Sequence, residues 1–134
     1  MTIKYRAGYK YQLVEPYVCQ TAITPPVHVA HDYLVLKTDG VLIINAGYAW
    51  DGASGPTVDT KSFMRGSLVH DALYQLMREG LIDLSWRNAA DQELRRLCVE
   101  DGMSCMRAWW VYRAVNNCGE GSAKPQQEII LEAP

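Results

Sequence analysis

The spacing of apolar residues changes once along this chain, near residue 60, and that change limits the folds open to it. Before it, Tyr9-Lys10-Tyr11-Gln12-Leu13-Val14 partly alternates, and Tyr33-Leu34-Val35-Leu36 and Val41-Leu42-Ile43-Ile44 are short β-branched or apolar runs. Alternation sends successive side chains to opposite faces of a strand, so residues 1–50 read as an antiparallel β region. Thr38-Asp39-Gly40 between two of the runs is a hairpin signal, and Pro25-Pro26 breaks the segment ahead of them. After the change, Met64, Leu68, Ala72 and Leu76 recur at helical spacing with Val69, Leu73 and Met77 beside them, which predicts a helix over 61–78. Glu79-Gly80 supplies its stop, with Gly80 as a left-handed cap. A second helix should begin within 85–88, turn Ala90, Leu94, Leu97 and Cys98 inward, and end at Gly102. A third should run from about Ser104 to Asn117. The expectation is a single α+β domain over 1–134. It divides into a β region (1–50), a Gly/Pro loop (51–59), a helical region (60–118) and a polar tail (119–134) in which Glu128-Ile129-Ile130-Leu131 reads as a short closing strand.

Length and composition narrow the class. A chain of 134 residues can bury one adequate core without staples. No run approaches the ~18 apolar residues of a membrane span, and the first ten residues lack the hydrophobic stretch of a signal peptide. With 13 Lys+Arg against 15 Asp+Glu the net charge is −2, so nucleic acid is not the expected partner. Cys19, Cys98, Cys105 and Cys118 contain no C-x-x-C pair, which excludes a zinc ribbon and predicts reduced, mostly packed thiols.

Three elements could carry chemistry. The first is Val69-His70-Asp71-Ala72-Leu73-Tyr74 on the first helix. His70 and Tyr74, four apart, share a face, while Asp71 points about 100° away. The second is Asp91, twenty-one residues after His70. An antiparallel helix pair would return it alongside the first helix, where a carboxylate can fix one imidazole nitrogen and free the other to take a proton from water. Each residue also has a plainer reading: a solvated His-Asp pair, and an aspartate favoured by a helix N-terminus. The third element is the loop Tyr48-Ala49-Trp50-Asp51-Gly52-Ala53-Ser54-Gly55-Pro56. Its glycines and proline permit a tight path that turns carbonyls inward, and carbonyls with one or two carboxylates suit a hard cation such as Ca²⁺. The plain alternative is a connector.

Other groups read as structural. His28 and His31, three apart in a strand, would lie on opposite faces and are not expected to form a metal site. Met103, Met106, Trp109 and Trp110 give the third helix a stripe that reads as core. Trp50, beside the glycine loop, reads as an aromatic wall of the site.

The order Gly/Pro loop, H-D-x-x-Y helix, A-D helix, carried by Gly52, Gly55, Pro56, His70, Asp71, Tyr74, Ala90 and Asp91, resembles the phospholipase A2 superfamily, particularly its compact parvoviral capsid form. A wider stretch, roughly residues 9–119, resembles small phage and prophage proteins that carry domain of unknown function 1353. That resemblance rests on Asp51 to Pro56, His70 to Tyr74, the A-D helix and the Trp/Tyr/Arg-containing last helix. The phospholipase resemblance implies that the first two helices pair as in that superfamily. It implies His70 as general base, Asp91 as its orienter and Tyr74 bonded to Asp91. Asp71 would bind Ca²⁺ with carbonyls near Gly52 and Gly55, and Asp51 is a further candidate ligand. The loop lacks the fuller glycine pattern of that template, and the first fifty residues have no counterpart in it.

These readings give three expectations of function. One is a calcium-assisted lipid-ester hydrolase acting at phage entry or lysis, with a phospholipid or membrane surface as partner and the host cytoplasm or virion as location. The second is a non-enzymatic virion, tail or host-interaction protein that binds other phage proteins and whose His-Asp-Tyr cluster holds the fold together. The third is a different metal-dependent hydrolase using His70, Asp71 and Asp91 as ligands.

Overall fold

The computed structural model describes residues 3–6, 11–52 and 60–118. Among the described residues seven short strands precede three α-helices in this α+β fold: β1 (Tyr5–Arg6), β2 (Tyr11–Leu13), β3 (Tyr17–Gln20), β4 (Val29–His31), β5 (Leu34–Leu36), β6 (Val41–Ile44), β7 (Ala49–Trp50), α1 (Lys61–Arg78), α2 (Arg87–Glu100) and α3 (Cys105–Cys118). All described pairings are antiparallel, and they form two sheets of order β1-β2-β7 and β3-β6-β5-β4. The expected hairpin joins β5 to β6, with Gly40 at φ +90°. A Cβ there would also lie 2.3 Å from the Thr21 carbonyl oxygen, so glycine is required twice over. The larger part of the Gly/Pro loop (residues 53–59, including Gly55 and Pro56), the tail with its expected closing strand, and the Tyr9 end of the first run lie outside the described residues.

Alternation decides which strand residues face inward. Tyr17, Cys19, Leu34, Leu36, Leu42 and Ile44 are buried and join Leu68, Val69, Ala72, Leu73, Leu76 and Met77 of α1 in the main core. A second cluster of Phe63, Leu94, Cys98, Met103, Ala108 and Val111 joins the three helices. Helix α1 therefore lies between the sheet and the other helices and is buried around most of its circumference. Both α1 and α2 end in Schellman caps. Gly80 N–H donates to the Met77 carbonyl and Leu81 N–H to that of Leu76, while Gly102 N–H donates to Val99 and Met103 N–H to Cys98. Gly80 and Gly102 take φ +72° and +101°, the left-handed conformation that such caps need.

Contacts along α1 and α2 run in opposite senses. Arg65 bonds Glu100 and Asp101, Gly66 faces Leu94 and Cys98, and His70 and Tyr74 meet Asp91. The two helices are thus an antiparallel pair, clamped at one end by the buried Arg65, whose Nη1 also donates to the Tyr17 hydroxyl at 3.0 Å. The close approach occurs at Gly66, where a Cβ would lie 2.9 Å from Cys98 Sγ and 3.2 Å from the Leu94 carbonyl oxygen.

One helix faces differently from its expected orientation. On α3 the inward residues are Ala108 and Val111, with Val115 packed behind them. Met106, Trp109 and Trp110 are exposed, so the Trp/Met stripe is not core, although Met103 is buried just before the helix. Small residues let α3 approach α2 closely, which leaves the large ones outside. Cys19 and Cys98 are buried free thiols and Cys105 is exposed. No described helix is long and apolar enough to cross a membrane.

Gly66→Ala sets intrinsic helix propensity against packing. Alanine favours a helix by ~1 kcal/mol over glycine, whereas overpacking a tight contact costs about 1–3 kcal/mol. The Leu94 carbonyl cannot move without α2, so a net loss of stability is expected, read as a lower urea midpoint. A raised midpoint would show that the helices can separate freely.

Candidate functional site

The site is built around Asp91, whose side chain is 0% exposed. A carboxylate so placed needs hydrogen-bond donors, because an unpaired buried charge is costly. Antiparallel pairing brings Asp91 opposite the middle of α1, where His70 Nε2 lies 2.7 Å from Asp91 Oδ1 and the Tyr74 hydroxyl donates to the same oxygen at 2.6 Å. The i, i+4 spacing stacks the His70 and Tyr74 rings, with centroids 4.2 Å apart. Asn116 of α3 donates its Nδ2 to Asp91 Oδ2 at 2.9 Å. Arg87, one turn earlier on α2, reaches 3.7 Å from that oxygen and donates Nη1 to the Asn116 backbone carbonyl at 2.7 Å. Asn88 continues the network, its Oδ1 accepting from the Tyr112 hydroxyl at 2.6 Å and from Asn116 Nδ2 at 3.0 Å. Burial and the bond to Asp91 both raise the Tyr74 pKa, so its hydroxyl stays a donor.

With Nε2 committed to Asp91, Nδ1 is the His70 ring nitrogen left for a proton transfer. The His70 side chain is 14% exposed, so the ring reaches the surface while its partner does not. A groove of about 600 Å³ passes Trp86, Asn88 and Gln92 and meets the network at Asn88; His70 does not line it.

Asp71 occupies a separate environment on the next face of α1. The Tyr48 hydroxyl lies 2.9 Å from Asp71 Oδ2 and 3.0 Å from Gln75 Oε1, its one proton divided between two acceptors. Burial raises the Asp71 pKa, and the nearby Asp51 carboxylate adds to that, against the lowering effects of Tyr48, Arg78 and His70. The Tyr48 hydroxyl is itself pushed far up by burial and by the Asp71 charge. Asp51 is exposed, and Gly52 beside it takes φ +78°. Among the described residues no group of three His, Cys, Asp or Glu side chains could hold a metal. The oxygen set at Asp71, Asp51 and Tyr48, with Arg78 as a charged neighbour, is of the chemical type that a hard cation takes.

A family model described as "Protein of unknown function (DUF1353)" matches residues 27–115, about two-thirds of the chain. The chain belongs to the DUF1353 family. No curated protein and no solved structure matches it. The DUF1353 segment contains Tyr48, His70, Asp71, Tyr74, Asn88, Asp91 and Tyr112, whereas Asn116 lies just beyond its end.

Of the residues singled out by sequence, the structure brings His70, Tyr74 and Asp91 together and sets Asp71 with Asp51 apart from them. Trp50 is not a site wall. It is 1% exposed, and its Nε1 donates to Ser67 Oγ at 3.0 Å inside the core. His28 and His31 remain separate: His28 Nδ1 accepts from the Thr38 N–H at 3.0 Å, and His31 lies near Asp32 and Glu79. Sequence reasoning missed Tyr48, Gln75, Asn88, Tyr112 and Asn116. Gln75 carried a local signal in its i+4 spacing from Asp71, and Tyr112 and Asn116 in theirs from each other.

The raised Asp71 pKa sets a pH-dependent stability. The folded protein holds the Asp71 proton more tightly than the unfolded chain does, so stability falls as pH rises from the ordinary value of 3.8 through the folded value. The penalty is complete once the pH exceeds the folded value. Asp71→Asn keeps the Tyr48 bond and removes the charge, so its melting temperature should exceed wild type at neutral pH and converge with it in acid. A variant less stable than wild type at neutral pH would contradict this.

Proposed function

We propose that this DUF1353 protein is a hydrolase of lipid esters in which His70 is the general base and Asp91 its orienting carboxylate. The observation that carries the reading is the 2.7 Å contact of His70 Nε2 with a fully buried Asp91, on a ring that reaches the surface. In this mechanism Nδ1 takes a proton from water as the water oxygen attacks the ester carbonyl carbon. The tetrahedral intermediate then collapses, the C–O bond to the alcohol breaks, and the imidazolium returns the proton to the leaving alkoxide. Asp91 stabilises the transient imidazolium, and Tyr74 and Asn116 hold Asp91 in place.

Asp71 and Asp51, with carbonyls of the loop that includes Gly52 and Gly55, are the residues that would hold Ca²⁺. When bound, the ion supplies polarisation of the ester carbonyl. The resemblance to phage and prophage proteins supports a role at phage entry or lysis, in the host cytoplasm or virion. A second reading has its own support. All buried polar side-chain atoms among the described residues have partners, and the Asp91 network ties three helices together, as a purely structural cluster in a virion or host-interaction protein would.

The test is turnover of phospholipid and lysophospholipid with calcium or with chelator. Wild type should hydrolyse the ester only with calcium, and His70→Ala should lower the rate by about 10²–10⁴-fold. Asp91→Asn should also lose activity, and Asp71→Asn should lose the calcium-dependent turnover. A folded wild type with no turnover, or turnover indifferent to His70→Ala, would remove the mechanism and leave the structural reading.

A further inference from the structure

The exposed face of α3 has no role in the fold or in the proposed mechanism. Met106, Trp109 and Trp110 are 74%, 42% and 63% exposed. Met106 lies three and four residues before the adjacent Trp109 and Trp110, and Arg113 four and three after them, which makes a single stripe along the helix. The other exposed large apolar residues include Val14, Val18, Val27 and Tyr33 of the β region, which form no comparable run on one element. The two indole rings pack edge to face at 5.4 Å, and the Arg113 guanidinium lies 5.8 Å from the Trp109 ring centroid. Arg107 is exposed at the start of the same helix. Helix α3 contains two arginines and no acidic residue, in a chain whose net charge is −2.

We propose that this Met106–Trp109–Trp110–Arg113 face is a docking surface for an anionic lipid bilayer. Indole rings favour the headgroup boundary, where the ring meets acyl chain and the N–H stays hydrated. Arginines beside them extend to lipid phosphates while their stems cover apolar surface. Charge selects this occupant over an α3-to-α3 pairing of two copies, which would set arginines against arginines with no carboxylate from either helix to meet them. The proposal extends the lipid-ester reading and rests on it for its purpose. Tyr112 and Asn116, three residues on from Trp109 and Arg113, carry the adjoining flank of the helix into the Asp91 network, so a bilayer docked on this face lies next to the candidate site.

Full-length protein mixed with extruded vesicles of phosphatidylcholine, with or without phosphatidylglycerol, provides the test, read by flotation and tryptophan emission. Binding should require phosphatidylglycerol, shift emission to the blue and weaken with salt. The double variant Trp109→Ser/Trp110→Ser should bind about tenfold or more weakly, and Arg107→Gln/Arg113→Gln should lose about five-fold per arginine. Both should keep the wild-type circular dichroism spectrum, because the substituted side chains are exposed. His70→Gln should float like wild type, so loss of hydrolysis and loss of docking are separate results. Three outcomes would overturn the proposal. One is no flotation with either vesicle. Another is a dimer in sedimentation that the double tryptophan variant dissolves. The third is Trp109 and Trp110 emission already blue and shielded from iodide in the free monomer, which would mean that the chain itself covers the face.

Discussion

A buried carboxylate must find its donors inside the protein, and the arrangement of the helical half follows from that need at Asp91. Water cannot reach it, so Tyr74 and His70 from α1 and Asn116 from α3 take the place of solvent, with Arg87 of its own helix nearby. Those donors meet only if α1 and α2 run antiparallel in a fixed register and α3 packs against α2. Gly66 permits the approach of the first two helices, and the Arg65 bonds to Glu100 and Asp101 fix the register at the far end. Removing one donor would leave a charge stranded, which costs more than the bond itself contributes. The network is therefore a constraint on the geometry of three helices rather than an addition to it.

Sequence disclosed the parts of this that are local. The bounds of α1 were readable because its apolar period is unbroken from Met64 to Met77 and Gly80 ends it with a cap that only left-handed backbone can make. The His70–Asp91 meeting was readable too, since i, i+4 spacing on one helix and a short return to the next leave few alternatives. What could not be read was tertiary. Residues 1–50 announced strands but not their division into two sheets, because β7 pairs back to β2 across more than thirty intervening residues. Tyr48 and Asn116 reach the site from elements whose local pattern says nothing about where they dock. For α3, helical spacing revealed apolar residues without revealing which of them the protein would cover. Ala108 and Val111 were taken inward for closeness, against the larger area that the tryptophans would have buried.

Two neighbouring positions on α1 serve carboxylate chemistry of opposite kinds. His70 faces Asp91, an acceptor fully supplied with donors; Asp71 is itself a carboxylate that shares a single hydroxyl proton with Gln75. Its pKa lies above the ordinary range because burial and Asp51 outweigh what Tyr48, Arg78 and His70 provide. Full satisfaction at Asp91 suits both a structural network and an oriented base, and what favours the base is that the His70 ring reaches the surface. The shortfall at Asp71 also bears on the choice. A fold selected for stability alone gains nothing from a half-buried carboxylate close to another acidic group, and an amide there would keep the Tyr48 bond without the charge. Burial that outweighs the nearby Arg78 charge is a perturbation of the kind found at functional carboxylates, and it lies one residue from the imidazole. A surface-reaching imidazole held by one carboxylate, with a second carboxylate of raised pKa beside it, is the combination that weighs toward chemistry at this end of α1.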